Sequence, residues 1–106
     1  MPTMSERLEK LHKLLERDPN DPFVLYGIAL EHKKLGDANS AIEFLDRTIA
    51  ADSGYCYAYY QKGQVQEMLG DAAAARETYQ KGIAAAKSKG DDHAAGEIEA
   101  ALAMLG

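Results

Sequence analysis

Leu35-Gly36-Asp37-Ala38, with Ala41 shortly after, returns 34 residues later as Leu69-Gly70-Asp71-Ala72 with Ala75. Working outward, the same offset carries Ala29 to Gly63, Leu45 to Tyr79 and Ile49 to Ile83. A fixed period this short means stacked copies of one small unit, each unable to bury its apolar face alone. The Gly-Asp pair supplies the punctuation inside each copy. Glycine accepts the left-handed conformation that closes one helix, and aspartate caps the free N–H groups of the next. So tight a turn makes the two helices antiparallel.

The flanks follow the same grammar. Asp18-Pro19-Asn20-Asp21-Pro22 ends one segment and opens another. Asp21 suits a cap, and Pro22 suits a first helical turn, where it leaves no N–H unpaired. Between connectors the apolar residues recur at helical spacing, as in Met4, Leu8, Leu11 and Leu15, or Ile98, Ala101, Leu102 and Leu105. The spacing predicts six helices, near 4–17, 22–35, 38–51, 56–69, 72–88 and 92–105. No alternating apolar–polar run is long enough for a strand. The recurring small residues, Ala29/Gly63 and Ala41/Ala75, predict close helix contacts, with Leu45 and Tyr79 filling the space beside them.

Composition narrows the function classes. A chain of 106 residues, 46% hydrophobic and 27% charged, folds as one compact domain that buries roughly two-thirds of its unfolded surface. Its net charge of −5, with no basic run among aromatics, disfavours nucleic acid. No apolar stretch nears the ~20 residues that span a bilayer. The N-terminus lacks the basic region and apolar core of a secretion signal. Cys56 is the single cysteine, so an internal disulfide is excluded. Together these features predict a cytoplasmic protein.

These residues resemble the tetratricopeptide repeat, a 34-residue helix–turn–helix. In the first copy Leu25, Ile28, Ala29 and His32 occupy the first-helix signature places, with Ala41 and Leu45 on the second helix. In the second copy Tyr59, Lys62, Gly63 and Gln66 stand there, with Ala75 and Tyr79. The departures are His32 and Gln66 for the family tyrosine, Lys62 for its leucine, and Ser53 and Lys87 for its proline. The resemblance implies an all-α, right-handed superhelical stack of antiparallel helix pairs. It divides the chain into a partial repeat or cap at 4–19, repeats at 22–55 and 56–89, and a capping helix at 91–106. The first of these has a charged outer face, whereas Ala100, Ala103 and Met104 leave the last one little polar surface.

The family also implies an interaction module whose groove is lined by the first helix of each pair. That geometry puts Phe23, Tyr26, Leu30 and Lys33 on one stretch of groove, and Tyr57, Tyr60, Gln61, Gln64 and Met68 on the next. Tyr26 and Tyr60, one period apart, are expected side by side. Tyrosine offers a rigid apolar ring and a polar tip, which suits recognition. Some family members clamp acidic tails with Lys, Asn and Arg, but the matching places here hold Tyr26, Leu30, Gln61, Asp91 and Ala95, so that clamp is absent. The expected partner is a protein segment, a peptide or helix, with a homodimer as the alternative.

Catalysis and metal binding have little support. His12, His32 and His93 fall on three different predicted helices, and no cysteine pair accompanies them. His32 reads as a packing residue, Cys56 as buried at a helix junction, and Asp91 and Asp92 as caps. The chain is expected to be non-catalytic, with no cofactor and no metal.

Overall fold

A computed structural model describes residues 5–106. Met4, placed above at the head of the first apolar stripe, lies outside the described residues. The order is α1 Glu6–Arg17, α2 Pro22–Lys34, α3 Ala38–Ala51, α4 Cys56–Met68, α5 Ala72–Lys89 and α6 Asp92–Leu105. The predicted boundaries agree to within two residues. No strand occurs among the described residues.

The turns form as their chemistry dictates. Gly36 and Gly70 take φ of 83° and 80°. At each, the following aspartate N–H reaches back to the helix before it, Asp37 to the His32 carbonyl and Asp71 to the Gln66 carbonyl, both at 2.9 Å. This six-to-one bond, with the glycine N–H bonded inside it, is the Schellman closure. The aspartate side chains then cap the next helix, Asp37 accepting from the Ser40 N–H and Asp71 from the Ala74 N–H. The junction before α6 repeats the solution with Gly90 and Asp91, whose N–H bonds the Ala86 carbonyl at 2.9 Å. As a result α5 runs 18 residues against 14 for α3, and α6 starts 36 residues after α4.

Antiparallel pairs α2/α3 and α4/α5 stack, with α1 covering one end and α6 the other. The first core joins Leu8 and Leu11 of α1 to Leu25, Ile28, Ala29, Phe44 and Leu45. The second joins Ala75, Tyr79 and Ala86 to Ala94, Ala95 and Ile98 of α6, with Cys56 at the junction. Ala29, Ala41 and Ala75 have no exposed surface, as the recurrence of small residues predicted.

Size is exchanged between helices from one copy to the next. In the first copy Ala29 faces the second-helix place held by Leu45; in the second, Gly63 faces Tyr79. A Cβ on Gly63 would come within 2.2 Å of the Tyr79 ring. The reciprocal pair replaces Leu25 and Thr48 by Tyr59 and Gly82, and a Cβ on Gly82 would meet Tyr59 Cβ at 2.7 Å. Two aromatic rings thus fit an interface built for aliphatic chains, because two glycines make room.

One fastening carries no signature in the pattern of apolar residues. Glu31 of α2 is buried, accepts a hydrogen bond from Ser5 Oγ at 3.0 Å and lies 3.4 Å from Arg7 Nε. It ties α1 to the first pair by a buried carboxylate that is fully partnered.

Candidate functional site

The first helix of each pair presents one face to the same side of the stack. On α2, Phe23 is 72% exposed, while Tyr26, Leu30 and Lys33 are half-buried. On α4, Tyr57, Tyr60, Gln61 and Gln64 are half-buried and Met68 is 62% exposed. These are the positions picked out by the family geometry. Direct bonds join several of them.

Lys33 is the link. Its ammonium donates to Gln61 Oε1 at 2.6 Å and to Gln64 Oε1 at 2.8 Å, crossing from α2 to α4. A lysine can only donate, so both amide oxygens must turn toward it and both NH2 groups away. The Gln61 amide in turn lies at the Tyr26 hydroxyl, partly offsetting the upward push that burial gives that phenol. Burial draws the Lys33 ammonium below the usual lysine range. The cation sits among neutral acceptors.

The expectation that Tyr26 and Tyr60 lie side by side needs correction. Tyr26 packs on Tyr55, centroids 4.9 Å apart, at the edge of the first core. Tyr60 packs on Tyr57 and Tyr79, at 6.3 and 6.5 Å, at the edge of the second. Repeat arithmetic ignores the connector: Tyr55, just before α4, claims the Tyr26 ring.

A third wall was not foreseen in detail. Tyr57 Oη donates to Glu97 Oε1 of α6 at 2.5 Å, and His93 Nε2 stands 3.0 Å from the same oxygen. The carboxylate beside it raises the Tyr57 pKa to about 12, the hydrogen bond contributing most. Between α4 and α6 lies a cleft of ≈ 330 Å³ lined by Tyr60, Gln64, Glu67, Glu97, Ala100 and Met104, with the buried Tyr79 behind them. The Tyr79 hydroxyl bonds the Glu67 carboxylate. Burial first, and Glu67 second, hold the Tyr79 phenol well above its ordinary pKa. Met104 is 87% exposed at the cleft rim. The two-residue shift of α6 hid this wall from the 34-residue offset.

The residues weighed for chemistry are otherwise engaged. His32 stacks on Phe44 at 5.6 Å, and His12 meets the same ring edge-on at 5.9 Å. The Cys56 thiol is buried and donates to the Gly54 carbonyl at 3.3 Å, and burial raises its pKa above the free-thiol value, the reverse of activation. On the opposite side, a cleft between α3, α4 and α5 has its charges matched, Lys62 to Asp46 at 2.7 Å and Lys81 to Glu77 at 3.2 Å. No helix among the described residues is long and apolar enough to cross a membrane.

Comparison with known proteins agrees with the repeat. Residues 24–55 and 57–89 match the tetratricopeptide repeat. A TPR repeat-containing protein of Pseudomonas aeruginosa is 30% identical over 98 residues, 92% of this chain and 93% of that protein. The solution structure of a tetratricopeptide repeat domain protein from Salinibacter ruber is 32% identical, with a TM-score of 0.78, covering 83% of this chain and 89% of that one. The TPR2B domain of yeast Sti1, in its complex with pHsp70, shares the fold at a TM-score of 0.86 and 21% identity, covering 92% of this chain and 78% of that one.

Proposed function

Because the chain belongs to the tetratricopeptide repeat family, we propose that it is a non-catalytic protein-interaction module whose α2–α4–α6 face receives a peptide or helix from a partner. The observation that carries this reading is the Lys33 bridge to Gln61 and Gln64, which joins groove residues of two repeats into one surface. The exposed Phe23, Met68 and Met104 offer apolar area to cover. Tyr26, Tyr57 and Tyr60 contribute ring faces, and the amide NH2 groups and hydroxyls set the orientation of what binds. The yeast neighbour that shares the fold holds a partner, which is consistent with such use.

The test is a capture experiment from the native lysate with the wild-type protein and a Tyr26→Ala/Tyr60→Ala variant. Loss of the captured partner with little loss of stability supports a recognition role. Each ring also packs against a core, so part of its area is structural, and unfolding must be measured on the same sample. A loss of several kcal/mol on unfolding, of the size expected for emptying a buried aromatic site, assigns the rings to the core. Normal capture with normal folding removes the groove reading.

The exposed Met104, Ala100 and Ala103 of α6 favour a second reading, a homodimer through that helix. Light scattering across a concentration series separates the two, since only self-assembly gives a stable doubled mass without a partner.

A further inference from the structure

Several charges outside the groove are matched by an opposite charge, whereas Lys33 and Glu67 inside it are each held by neutral groups. Lys62 pairs with Asp46, Lys81 with Glu77, Lys87 with Glu99 and Arg7 with Glu31. In the groove, Lys33 is held by two neutral amide oxygens. Glu67 is held by the neutral Tyr79 hydroxyl. Glu97 is held by the Tyr57 hydroxyl and by the surface-exposed His93. Lys33 and Glu67 even line one hollow of ≈ 330 Å³ without forming an ion pair among the described residues. Lys33 and Glu67 are oriented by neutral partners and Glu97 by Tyr57 together with His93, and each keeps unused capacity. The ammonium has a third proton, and among the described residues the second oxygen of each carboxylate, Glu67 Oε1 and Glu97 Oε2, takes no hydrogen bond.

Position gives these charges an order. Lys33 sits where α2 meets α4, and Glu67 and Glu97 face the cleft between α4 and α6. The acidic cleft has an aromatic and aliphatic lining, Tyr60, Ala100 and Met104, able to take the stem of a long cationic side chain and the face of its head. From this charge pattern, and resting on the groove reading above, we infer that the partner segment is bipolar: it sets an acidic side chain on Lys33 and an arginine or lysine in the Glu67–Glu97 cleft. Neighbouring helices are spaced by about 8–10 Å. An extended peptide advances about 3.3 Å per residue, so the two side chains stand roughly three residues apart.

The experiment is a nitrogen-15 NMR titration with four octapeptides of one alanine–leucine frame. At two places three residues apart they carry glutamate with arginine, glutamate with citrulline, glutamine with arginine, and glutamine with citrulline. Citrulline keeps the shape of arginine and drops its charge. The glutamate–arginine peptide should bind roughly tenfold tighter than either singly charged one, the scale of one charged hydrogen-bonded contact. Arginine should shift the amides of Glu67, Glu97 and Met104, and glutamate those of Lys33 and Gln61. Glu67→Gln/Glu97→Gln should abolish the arginine preference alone and Lys33→Met the glutamate preference alone. The glutamines still accept from the tyrosines, and circular dichroism checks the fold. Groove shifts with equal affinity for all four peptides overturn the charge inference and leave the groove reading standing. Shifts confined to other faces overturn both.

Discussion

Gly63 of α4 lies directly beneath the ring of Tyr79 of α5, so close that a Cβ would stand 2.2, 2.6 and 2.7 Å from three ring carbons. Tyr79 is itself without exposed surface. The glycine, which weakens a helix by roughly 1 kcal/mol relative to alanine, is held there by packing and not by propensity.

Gly63→Ala is therefore expected to destabilise by about 1–3 kcal/mol through overpacking, despite its better helix propensity. Tyr79→Leu alone should also destabilise, by emptying the site of a ring. The double variant recreates the Ala29/Leu45 pair of the first copy and should cost less than the two single changes summed, with a coupling of about 1–3 kcal/mol. Urea unfolding of all four proteins gives the coupling directly. Simple additivity would show that the two sites do not press on each other.

Deletion of Asp91 onward removes Ala94, Ala95 and Ile98 from the core they share with Tyr79 and Ala86. The truncated protein should aggregate or unfold without cooperativity. Size-exclusion chromatography with light scattering, followed by urea unfolding, checks this. A monomer as stable as the parent would show that α6 is dispensable as a cover.

Alkaline pH should weaken the fold through Tyr57 and Tyr79. Both donate to carboxylates, and both hold their protons more tightly in the folded state than a tyrosine at 10.0. Their contribution is complete below about pH 10 and is lost as pH rises through the folded value, about 12 for Tyr57 and likewise raised for Tyr79 by burial and Glu67. The melting temperature should hold steady to about pH 10 and then fall. The tyrosinate absorbance of native protein should rise later than that of urea-unfolded protein. Superimposable curves would exclude the carboxylate contacts.

The sequence exposed what repeats and what is local. Gly36-Asp37 and Gly70-Asp71 are readable because a left-handed closure and a cap need only neighbouring residues, and those contacts form as expected. Burial of Ala41 and Ala75 follows from their recurrence. Less was legible where a contact depends on two helices at once. Gln61 and Gln64 read as polar groove residues, and nothing in their spacing announces that one ammonium holds both. Glu31 sits mid-helix, and its burial depends on Ser5 and Arg7 arriving from α1. The α6 wall was missed because α5 runs on to Gly90, which moves the next helix out of the 34-residue register. Tyr55 took the place beside Tyr26 that periodicity had assigned to Tyr60.

The exchange of size between α4 and α5 bears on how such arrays diversify. An α2 sequence spliced into the place of α4 would bring Ala29 under the Tyr79 ring, whereas α2 and α3 moved together carry their own fit. The hairpin, and not the single helix, is thus the smallest piece that recombination can shuffle in this chain. A change at either Gly63 or Tyr79 alters which side chain fits at the other.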